Sequence, residues 1–203
     1  MDLDPRTTRP LDLYRVLLHL IGPRPIAWIS TISAAGVPNL APFSFSSGVS
    51  TNPPAHLFCP ANHADGRKKD TLVNVEATRE YVCSVVPFSL RDAMNVTSAD
   101  LPPDMNEFSQ AHLTPVPSRI VTPAHVAESP ASFECRVLQI IHLADGPLAG
   151  NVVIGEIVAV HIDDALLKNG TIDPTALDLI GRMGGTDYCR TTEKFSLARP
   201  TTY

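Results

Sequence analysis

The chain has 203 residues and carries 16 Lys and Arg against 21 Asp and Glu, a formal net charge of −5. This length suffices for one sizeable core, so we expect a single domain over residues 1–203. The acidic balance and the lack of a basic block argue against a nucleic-acid partner. No apolar run approaches the roughly 20 residues that span a bilayer, and the first residues lack a secretory pattern, so we expect a cytoplasmic protein without a membrane partner.

Cysteine and histidine usage does not indicate a metal centre. Cys59, Cys83, Cys135 and Cys189 are far apart in sequence and form no CxxC pair. Cys83 and Cys135 lie in strand-like segments, where a free thiol commonly serves as a small hydrophobe. The seven histidines include no HExxH pair, so we expect no bound metal.

The first half of the chain alternates strand signals with turns. Residues 25–33, PIAWISTIS, are rich in β-branched and aromatic residues and predict a strand. The turn residues 34–39, AAGVPN, predict a hairpin whose second arm runs into 39–54, NLAPFSFSSGVSTNPP, interpreted here as a serine-rich loop. Further strands are predicted for 54–61, PAHLFCPA, and for 79–86, REYVCSVV.

A helix is predicted directly after the basic stretch GRKKDT, residues 66–71. Asp70 or Thr71 can cap its N-terminus. Three residues supply its apolar face: Leu72, Val73 and Val75. The basic residues before the helix lie where free backbone N–H groups and the helix dipole favour an anion.

A second short helix is predicted for residues 88–96, opened by Ser89, with Asp92 completing a capping-box pattern. From Leu101 to Pro130 the chain is irregular, apart from one helical turn expected in EFSQAHL, residues 107–113. A connection of this length is usually a functional lid or an interface arm. The sequence leaves open whether it covers a ligand, binds a partner or completes a dimer.

The second half contains the clearest strands. Residues 132–143, SFECRVLQIIHL, and 151–163, NVVIGEIVAVHID, flank the turn ADGPLAG and predict a long antiparallel hairpin. The tail 175–190, TALDLIGRMGGTDYCR, predicts a short helix, a glycine turn and a return to extended chain. The sum is mainly β, with short helices at the ends, which favours a small barrel over a layered α/β sheet.

Three features are compatible with an anionic, planar ligand. Hydroxyls and backbone N–H groups in 39–54 are neutral donors suited to a phosphate or to the polar edge of a heterocycle. The basic residues before the first predicted helix supply charge. In the tail, two glycines permit close approach of backbone to a ligand, and Tyr188 can stack on a flat ring. Serine-rich turns and solvated basic triplets are also common without any ligand.

Five segments, in order and with compatible spacing, resemble the flavin reductase-like family with the FMN-binding split barrel, particularly its longer, flavoredoxin-type branch. They are PRPIAWISTISAAGVPNLAPFSFSSGVSTNPP, KDTLVN, SPASFECRV, VVIGEIVAVHI and GRMGGTDYCR. The resemblance is strongest over residues 22–190. It implies a six-stranded antiparallel split β-barrel of Greek-key arrangement and a homodimer. It also implies FMN, or alternatively FAD, bound near the dimer interface.

The resemblance further implies which residues contact the flavin. Residues 42–47 would line the ring and its ribityl chain, with Ser44 and Ser46 hydrogen bonding and Phe43 and Phe45 facing the core. The "KDT" segment would lie at the phosphate: Lys69 would supply a charge, Asp70 a helix cap and Thr71 a hydroxyl. The single tryptophan would lie beside the ring or in the core. The expected cofactor-binding residues are Trp28, Pro42, Phe43, Ser44, Phe45, Ser46, Ser47, Arg67, Lys69, Asp70, Thr71, Arg182, Gly184, Gly185 and Tyr188.

The activity that the resemblance implies is transfer of hydride or electrons from NADH or NADPH, through FMN, to a flavin, oxygen or a redox partner protein. No catalytic residue is expected, because the flavin carries the chemistry. Shorter members of the superfamily carry a histidine just before the "GxV" strand, at a position associated with the nicotinamide, and this chain has Asn151 there. His161 is an alternative polar group on the same strand.

That departure weakens the assignment as a generic NAD(P)H:flavin reductase and leaves room for an electron carrier or for a reductase with a different donor. Two further readings are therefore kept. One is an electron-transfer flavoprotein of the flavoredoxin type, without NAD(P)H activity of its own. The other is a non-enzymatic, dimeric split-barrel module that binds a partner and has lost the flavin. The intact serine segment and "KDT" segment argue against the second of these.

Overall fold

The structure, a computed structural model, describes residues 2–102 and 104–200. Its helices are α1 Pro10–Leu20, α2 Asp70–Thr78, α3 Arg91–Val96, α4 Glu107–Gln110 and α5 Pro174–Leu177. Its strands are β1 Arg24–Pro25, β2 Ala27–Ile32, β3 Pro38–Phe43, β4 Ser46–Thr51, β5 Pro54–Phe58, β6 Glu80–Ser84, β7 Pro115–Val116, β8 His125–Val126, β9 Ala131–His142, β10 Asn151–Ile162, β11 Leu167–Lys168, β12 Thr171–Ile172, β13 Ile180–Arg182 and β14 Tyr188–Arg190.

Seven antiparallel strands form the main sheet, in the order β3-β2-β6-β9-β10-β5-β4. Laid flat at about 4.8 Å per strand, its edges would stand roughly 29 Å apart. Only Ser44 and Phe45 connect the edge strands β3 and β4, and such a connection spans at most about 11 Å. The sheet must therefore curl until its edges meet. Among the described residues no ladder joins β3 to β4, so the barrel is split at that seam.

The predicted fold class is confirmed: the chain is mainly β with short helices and forms a split barrel. The strands β6, β9, β10 and β5 lie side by side in that order, so the strand that comes first in the chain pairs with the last, as in a Greek key. The main sheet has seven strands instead of the six expected, because segment 38–51 is interrupted at its centre and contributes one strand to each edge.

Two predicted hairpins are present. Strand β2 pairs with β3, and β9 pairs with β10 along their whole length with two register shifts. Segment 39–54, however, is not a loop as predicted, since most of it belongs to β3 and β4. Alternation of small hydroxyls with apolar residues fits an edge strand as well as a turn, and pairing with β2 and β5 decides for strands.

Both predicted helix caps are wrong. Lys69 is the N-cap of α2 and makes no side-chain cap hydrogen bond, so neither Asp70 nor Thr71 occupies that position. Val73, predicted on the apolar face of α2, is 47% exposed. Helix α3 begins at Arg91 after a single 3-10 turn, Phe88–Leu90, and its N-cap is Leu90.

Packing divides into two apolar clusters. The first fills the barrel with residues that include Phe43, Phe58, Tyr81 and Val153. Gly155 of β10 is required there, because a Cβ at this position would lie 2.6 Å from the Tyr81 ring. The second cluster lies between the sheet and helices α3 and α4, and includes Trp28, Leu40, Val86, Met94 and Phe108.

Residues 104–130 pack on the sheet through α4 and the short ladder β7–β8. Phe108 of α4 is 1% exposed, and the Glu107 carboxylate accepts the Leu40 backbone N–H at 3.0 Å. The helical turn predicted in residues 107–113 is therefore present. No helix in residues 2–102 or 104–200 has the length and apolar character needed to cross a membrane.

Candidate functional site

A cavity of about 100 Å³, named here the Lys69 cavity, lies at the start of α2. Lys69 is half-buried, and its amine forms no ion pair within residues 2–102 and 104–200. The first turn of a helix also leaves backbone N–H groups without intrahelical partners. The carboxylates of Asp70 and Asp100 line the same cavity, and His63 Nδ1 lies 3.3 Å from Asp100. The cavity thus contains the Lys69 amine and the backbone donors of α2 together with two carboxylic acids, of which Asp100 is paired with His63.

Only the last member of the basic triplet reaches this cavity. The Arg67 side chain donates to Asp65 at 2.7 Å, and the Lys68 amine donates to Glu76 at 2.6 Å. Each of these charges is neutralised by a nearby carboxylate on the surface. The structure therefore places Arg67 outside the cavity and leaves Lys69 as the cation of the triplet that forms no ion pair within the described residues.

Thr71 lines the floor of the Lys69 cavity and is 1% exposed. Its hydroxyl oxygen accepts a hydrogen bond from the Asn39 side-chain amide at 3.0 Å, and the same amide donates to Thr31 at 3.2 Å. Because the Thr71 oxygen accepts from Asn39, its own proton remains available for donation. This network ties the start of α2 to strands β2 and β3.

A second cavity of about 260 Å³, named here the Ser44 cavity, adjoins the first. The two share Pro42 and Ser98 in their walls, and we call them together the groove. The Ser44 cavity is lined by Tyr14 of α1, by Asn95 of α3 and by Ser44 itself. Two guanidinium groups, of Arg24 and Arg182, also line it, whereas no carboxylate of the described residues does.

Arg24 is a functional candidate that the sequence reasoning missed. It is 3% exposed, and it donates to the carbonyls of Leu18 at 2.6 Å, of Met183 at 2.7 Å and of Ile21. Its Nε donates to the Ser44 hydroxyl at 3.3 Å, so the Ser44 proton is directed elsewhere. Burial lowers the pKa of Arg24, but the guanidinium stays charged. Arg24 thus anchors the end of α1 and fixes Ser44 as a donor.

The residues of the predicted glycine-aromatic motif have two different roles: Arg182 and Tyr188 line the Ser44 cavity, and the two glycines shape the backbone. The Arg182 guanidinium lies 4.4 Å from the centre of the Tyr188 ring and donates to its hydroxyl and, at 2.6 Å, to the Gly185 carbonyl. These two side chains line the Ser44 cavity. A Cβ on Gly184 would lie 2.2 Å from the His19 ring, so this glycine admits α1. Gly185 has φ of +58°, in the left-handed region that favours glycine.

The structure does not bring Ser46 and Ser47 to the groove. The Ser46 hydroxyl lies 2.9 Å from His56 Nε2, and both serines line a separate cavity of about 190 Å³. His56 is 5% exposed and sits inside the barrel, with Nδ1 3.3 Å from the Tyr81 hydroxyl. Burial lowers the pKa of His56 from 6.5 to about 4, so the imidazole is neutral at physiological pH.

The three aromatic candidates lie in different environments. Trp28 is fully buried in the second apolar cluster, and its indole N–H donates to Thr97 at 2.8 Å. The Phe43 ring faces the barrel interior as predicted, 5.2 Å from that of Phe58. Phe45 was expected to face the core as well, which is wrong: it is half-buried, with the Arg24 guanidinium 5.6 Å from its ring. The chain bends at Ser44 and Phe45, which breaks the strand alternation.

Asn151, which stands where shorter members of the superfamily carry a histidine, is 2% exposed and has a structural role. Its amide donates to the Pro60 carbonyl at 3.0 Å and to Asn62 at 3.1 Å, and His142 Nδ1 lies 2.6 Å from its oxygen. These bonds hold the segment after β5 against the start of β10. All the polar atoms of the side chain are engaged.

His161 likewise has a structural role, because its side chain pairs with a buried carboxylate. Its Nε2 lies 2.5 Å from the fully buried Glu134 carboxylate, which also accepts backbone N–H groups of Arg119 at 2.7 Å and Ile120 at 2.6 Å. Burial alone would raise the pKa of Glu134, but these donors outweigh it and hold the pKa at about 2. The pair fastens segment 118–121 to strands β9 and β10.

Eight of the predicted residues therefore line one groove: Pro42, Phe43, Ser44, Lys69, Asp70, Thr71, Arg182 and Tyr188. Helix α1, which supplies Tyr14 and Leu18 to the same groove, was not predicted. The only sequence signals for it were Pro10 and the apolar spacing of residues 11–20. No local pattern pointed to Arg24, since its contacts depend on distant carbonyls.

Comparison with known proteins gives a consistent result. The family described as "Flavin reductase like domain" matches residues 21–180. An uncharacterized protein of Halalkalibacterium halodurans is 38% identical over 203 residues, covering 99% of this chain and 97% of that protein. The crystal structure of nitrilotriacetate monooxygenase component B from Bacillus cereus superposes with a TM-score of 0.92 at 32% identity, covering 97% of this chain and 98% of that one.

A more distant structure has the same fold. Flavoredoxin of Desulfovibrio vulgaris is 19% identical, with a TM-score of 0.76, covering 99% of both chains. This likeness concerns the barrel and its helices, and it agrees with the split-barrel topology derived from the strand order.

Proposed function

The chain belongs to the flavin reductase-like family, and from that premise we propose that it is an FMN-dependent oxidoreductase. In this proposal it passes hydride or electrons from a reduced pyridine nucleotide, through FMN, to a flavin, oxygen or a redox partner protein. The observation that carries the proposal is the groove, which joins an amine without an ion pair, at a helix start, to a cavity lined by hydroxyls and two guanidinium groups.

The residues present suit FMN. A phosphate would lie in the Lys69 cavity, where it would meet the Lys69 amine, the first backbone N–H groups of α2 and the Thr71 hydroxyl. The ribityl chain would pass Pro42 and Ser98, the two residues that both cavities share. The flavin ring would lie in the Ser44 cavity, whose volume of about 260 Å³ is just below the roughly 300 to 1,000 Å³ typical of small-molecule sites.

When bound, FMN supplies the redox chemistry. The chain's own residues would bind it, orient it and stabilise charge. Ser44, held as an acceptor by Arg24, would donate its proton to the polar edge of the ring. Arg182 would place a positive charge where negative charge increases on reduction, and such preorganised charges act strongly in a partly desolvated cavity. Tyr188 would cover the ring with an aromatic face.

A homodimer is part of the proposal. Helix α1 contains no buried residue, and Leu11, Leu17 and Leu20 on it are 48%, 38% and 77% exposed. Because burial of such side chains stabilises association, a second copy of the chain is the expected cover. Light scattering of the purified protein should give the mass of a dimer, and a monomer at micromolar concentration would contradict this part.

A second candidate function is favoured by Asn151. Since its polar atoms are all engaged within the fold, this position does not offer a nicotinamide contact. An electron-transfer flavoprotein that receives electrons from a partner protein would need none. Steady-state oxidation of NADH and NADPH with added FMN separates the two functions, because a carrier should turn over only with its partner.

The test of the proposed function is the visible absorption spectrum of the protein, before and after addition of FMN and removal of the excess. Retention of the oxidised-flavin bands, with bleaching by NADH or NADPH, is the expected result. If FMN is not retained, turnover with free FMN distinguishes a reductase that uses flavin as a loose substrate from a split barrel without flavin chemistry. Absence of both retention and turnover contradicts the proposal.

A further inference from the structure

A third cavity of about 450 Å³, named here the Phe88 cavity, lies beside the groove. It shares four residues with the Ser44 cavity, namely Met94, Asn95, Arg182 and Tyr188. A ligand in one cavity would therefore lie next to a ligand in the other. The proposed function needs such a neighbour, because a hydride donor must contact the flavin while the rest of the donor lies elsewhere.

Three guanidinium groups line this cavity. Arg91 and Arg190 lie 4.3 and 4.2 Å from the centre of the Phe88 ring, and Arg182 lies on the Tyr188 ring. Charges of one sign repel one another, so a cavity that gathers three of them favours an anionic ligand. Cation–π contacts keep the guanidinium planes fixed against the two aromatic rings.

Nearby carboxylates compensate these charges only in part. Arg190 is paired with Asp178 through two hydrogen bonds of 2.5 and 2.6 Å. Arg91 lies 3.2 Å from Asp92, whose side chain is 84% exposed and therefore well solvated. Arg182 has no carboxylate partner within the described part of the chain. A net positive charge remains at the junction of the two cavities.

The lining combines these charges with flat and apolar surfaces. The guanidinium groups stacked on Phe88 and Tyr188 supply planar surfaces, and Met94 and Ile180 add apolar surface. Guanidinium groups bind phosphates through paired hydrogen bonds and also stack on planar rings. A ligand with both several phosphate charges and a planar base fits this lining better than a small carboxylate does. Nucleotides have that chemistry.

We propose that the Phe88 cavity holds the phosphate-bearing half of the pyridine dinucleotide that reduces the flavin, with Arg91 and Arg190 facing its phosphates and Arg182 at the junction with the flavin. This inference rests on the proposed function, since the donor is defined by it. It also explains how a chain whose Asn151 is committed to the fold could still bind a dinucleotide, because the contacts come from the other side of the groove.

The test is isothermal titration calorimetry of NADP⁺ and, separately, NAD⁺ into the wild type, Arg91→Ala, Arg91→Lys and the control Arg136→Ala. Arg136 of strand β9 is 57% exposed, lies 3.9 Å from Glu80 of strand β6, and lines none of the three cavities named here. Arg91 suits the test because its side chain is partly exposed and donates to a single local carbonyl, that of Phe88 at 3.0 Å. Each variant is also titrated with FMN.

We expect Arg91→Ala to weaken the tighter-binding dinucleotide by about 10-fold to 100-fold, the range for loss of charge-assisted hydrogen bonds. Arg91→Lys should lie between the wild type and Arg91→Ala, since an ammonium keeps the charge but loses the planar fork. Arg136→Ala should stay within about twofold of the wild type. FMN affinity should be the same in all four proteins.

The inference is overturned if Arg91→Ala and the wild type bind both dinucleotides equally, or if the wild type binds neither of them. In either case retention of FMN would leave the flavoprotein assignment intact. Failure to bind FMN would contradict the proposed function, while the dinucleotide titration would still report on the cavity.

Discussion

The interior of the barrel and the groove outside it share strands, but polar side chains are paired with one another in the interior and cations are left without carboxylate partners in the groove. Inside, His56 lies within hydrogen-bond distance of Ser46 and Tyr81, and a glycine makes room for the Tyr81 ring. In the groove, Lys69 and Arg182 have no carboxylate partner among the described residues. Packing explains the choice of side chains in the barrel interior, but it does not explain the cations of the groove. Charge that the fold itself does not use marks a place where a ligand can bind.

A single stretch of chain serves both regions. Side chains alternate across a strand, so Phe43 enters the barrel while Pro42 and Ser44 face the groove. After the bend at residues 44 and 45, Ser46 faces His56 instead. Substitutions only a few residues apart should therefore affect either stability or ligand binding, and the following predictions use this contrast.

The largest effect is expected in the barrel. Phe58 is fully buried, with its ring 5.2 Å from Phe43 and 5.0 Å from Tyr81. Phe58→Ala should lower the free energy of unfolding by about 3 to 5 kcal/mol, because it removes apolar burial and leaves a cavity. Urea denaturation measures this. Phe195→Ala, the same substitution at an 86% exposed site, is the control, and equal losses in the two variants would contradict the description of the barrel interior.

The second effect is a loss of stability on acidification. Burial holds the pKa of His56 at about 4 in the folded protein, against 6.5 for the unfolded chain. Between these values the unfolded chain binds a proton that the folded protein does not, so the free energy of unfolding falls by about 3 kcal/mol from pH 7 to pH 4. Burial lowers the pKa of His125 as well, which acts in the same direction.

The measurement is urea denaturation at a series of pH values. His56→Gln should flatten the slope between pH 6.5 and 4, whereas His112→Gln, a substitution at an exposed histidine, should leave it as in the wild type. A slope that is the same in all three proteins would show that His56 is protonated in the folded state.

The smallest effects should separate two serines. Ser44→Ala is expected to weaken FMN binding by about 1 kcal/mol, the typical value of one hydrogen bond, with little change in stability. Ser46→Ala is expected to lower stability by about the same amount, because His56 loses its partner, and to leave FMN affinity unchanged. Flavin fluorescence titration and urea denaturation of both variants measure the pair. If Ser46→Ala weakens FMN as much as Ser44→Ala does, the groove has been placed on the wrong side of the strand.

Most of the barrel could be predicted from sequence because its strands carry strong local signals. The strand-like segments 132–143 and 151–163 on either side of the turn ADGPLAG predicted the longest hairpin, and turn residues placed the one formed by β2 and β3. Closure could not be predicted from these patterns, since it depends on two residues that connect opposite edges of the sheet. The caps of α2 and α3 were also wrong, because Asp70 lies inside the first turn of α2, where the helix dipole also favours an acid, and Ser89 lies in the 3-10 turn before α3.

The groove could be predicted only in part. Lys69 and Ser44 lie in segments whose composition suggested donors, and both line it. Arg67 has the same chemistry as Lys69 but is paired with Asp65, and a sequence does not show which of three neighbouring cations is neutralised. Arg24 was missed because its partners are carbonyls of Leu18 and Met183, which any residue supplies.

The measurement that tests the central claim most directly is the dissociation constant of FMN and of riboflavin for the wild type, Lys69→Ala, Lys68→Ala and Arg182→Ala. If the phosphate lies against Lys69, Lys69→Ala should weaken FMN by about 1 to 3 kcal/mol, leave riboflavin unchanged, and differ from Lys68→Ala, whose amine is already paired. Equal losses for FMN and riboflavin in Lys69→Ala, or a loss specific to FMN that occurs only in Arg182→Ala, would contradict the account.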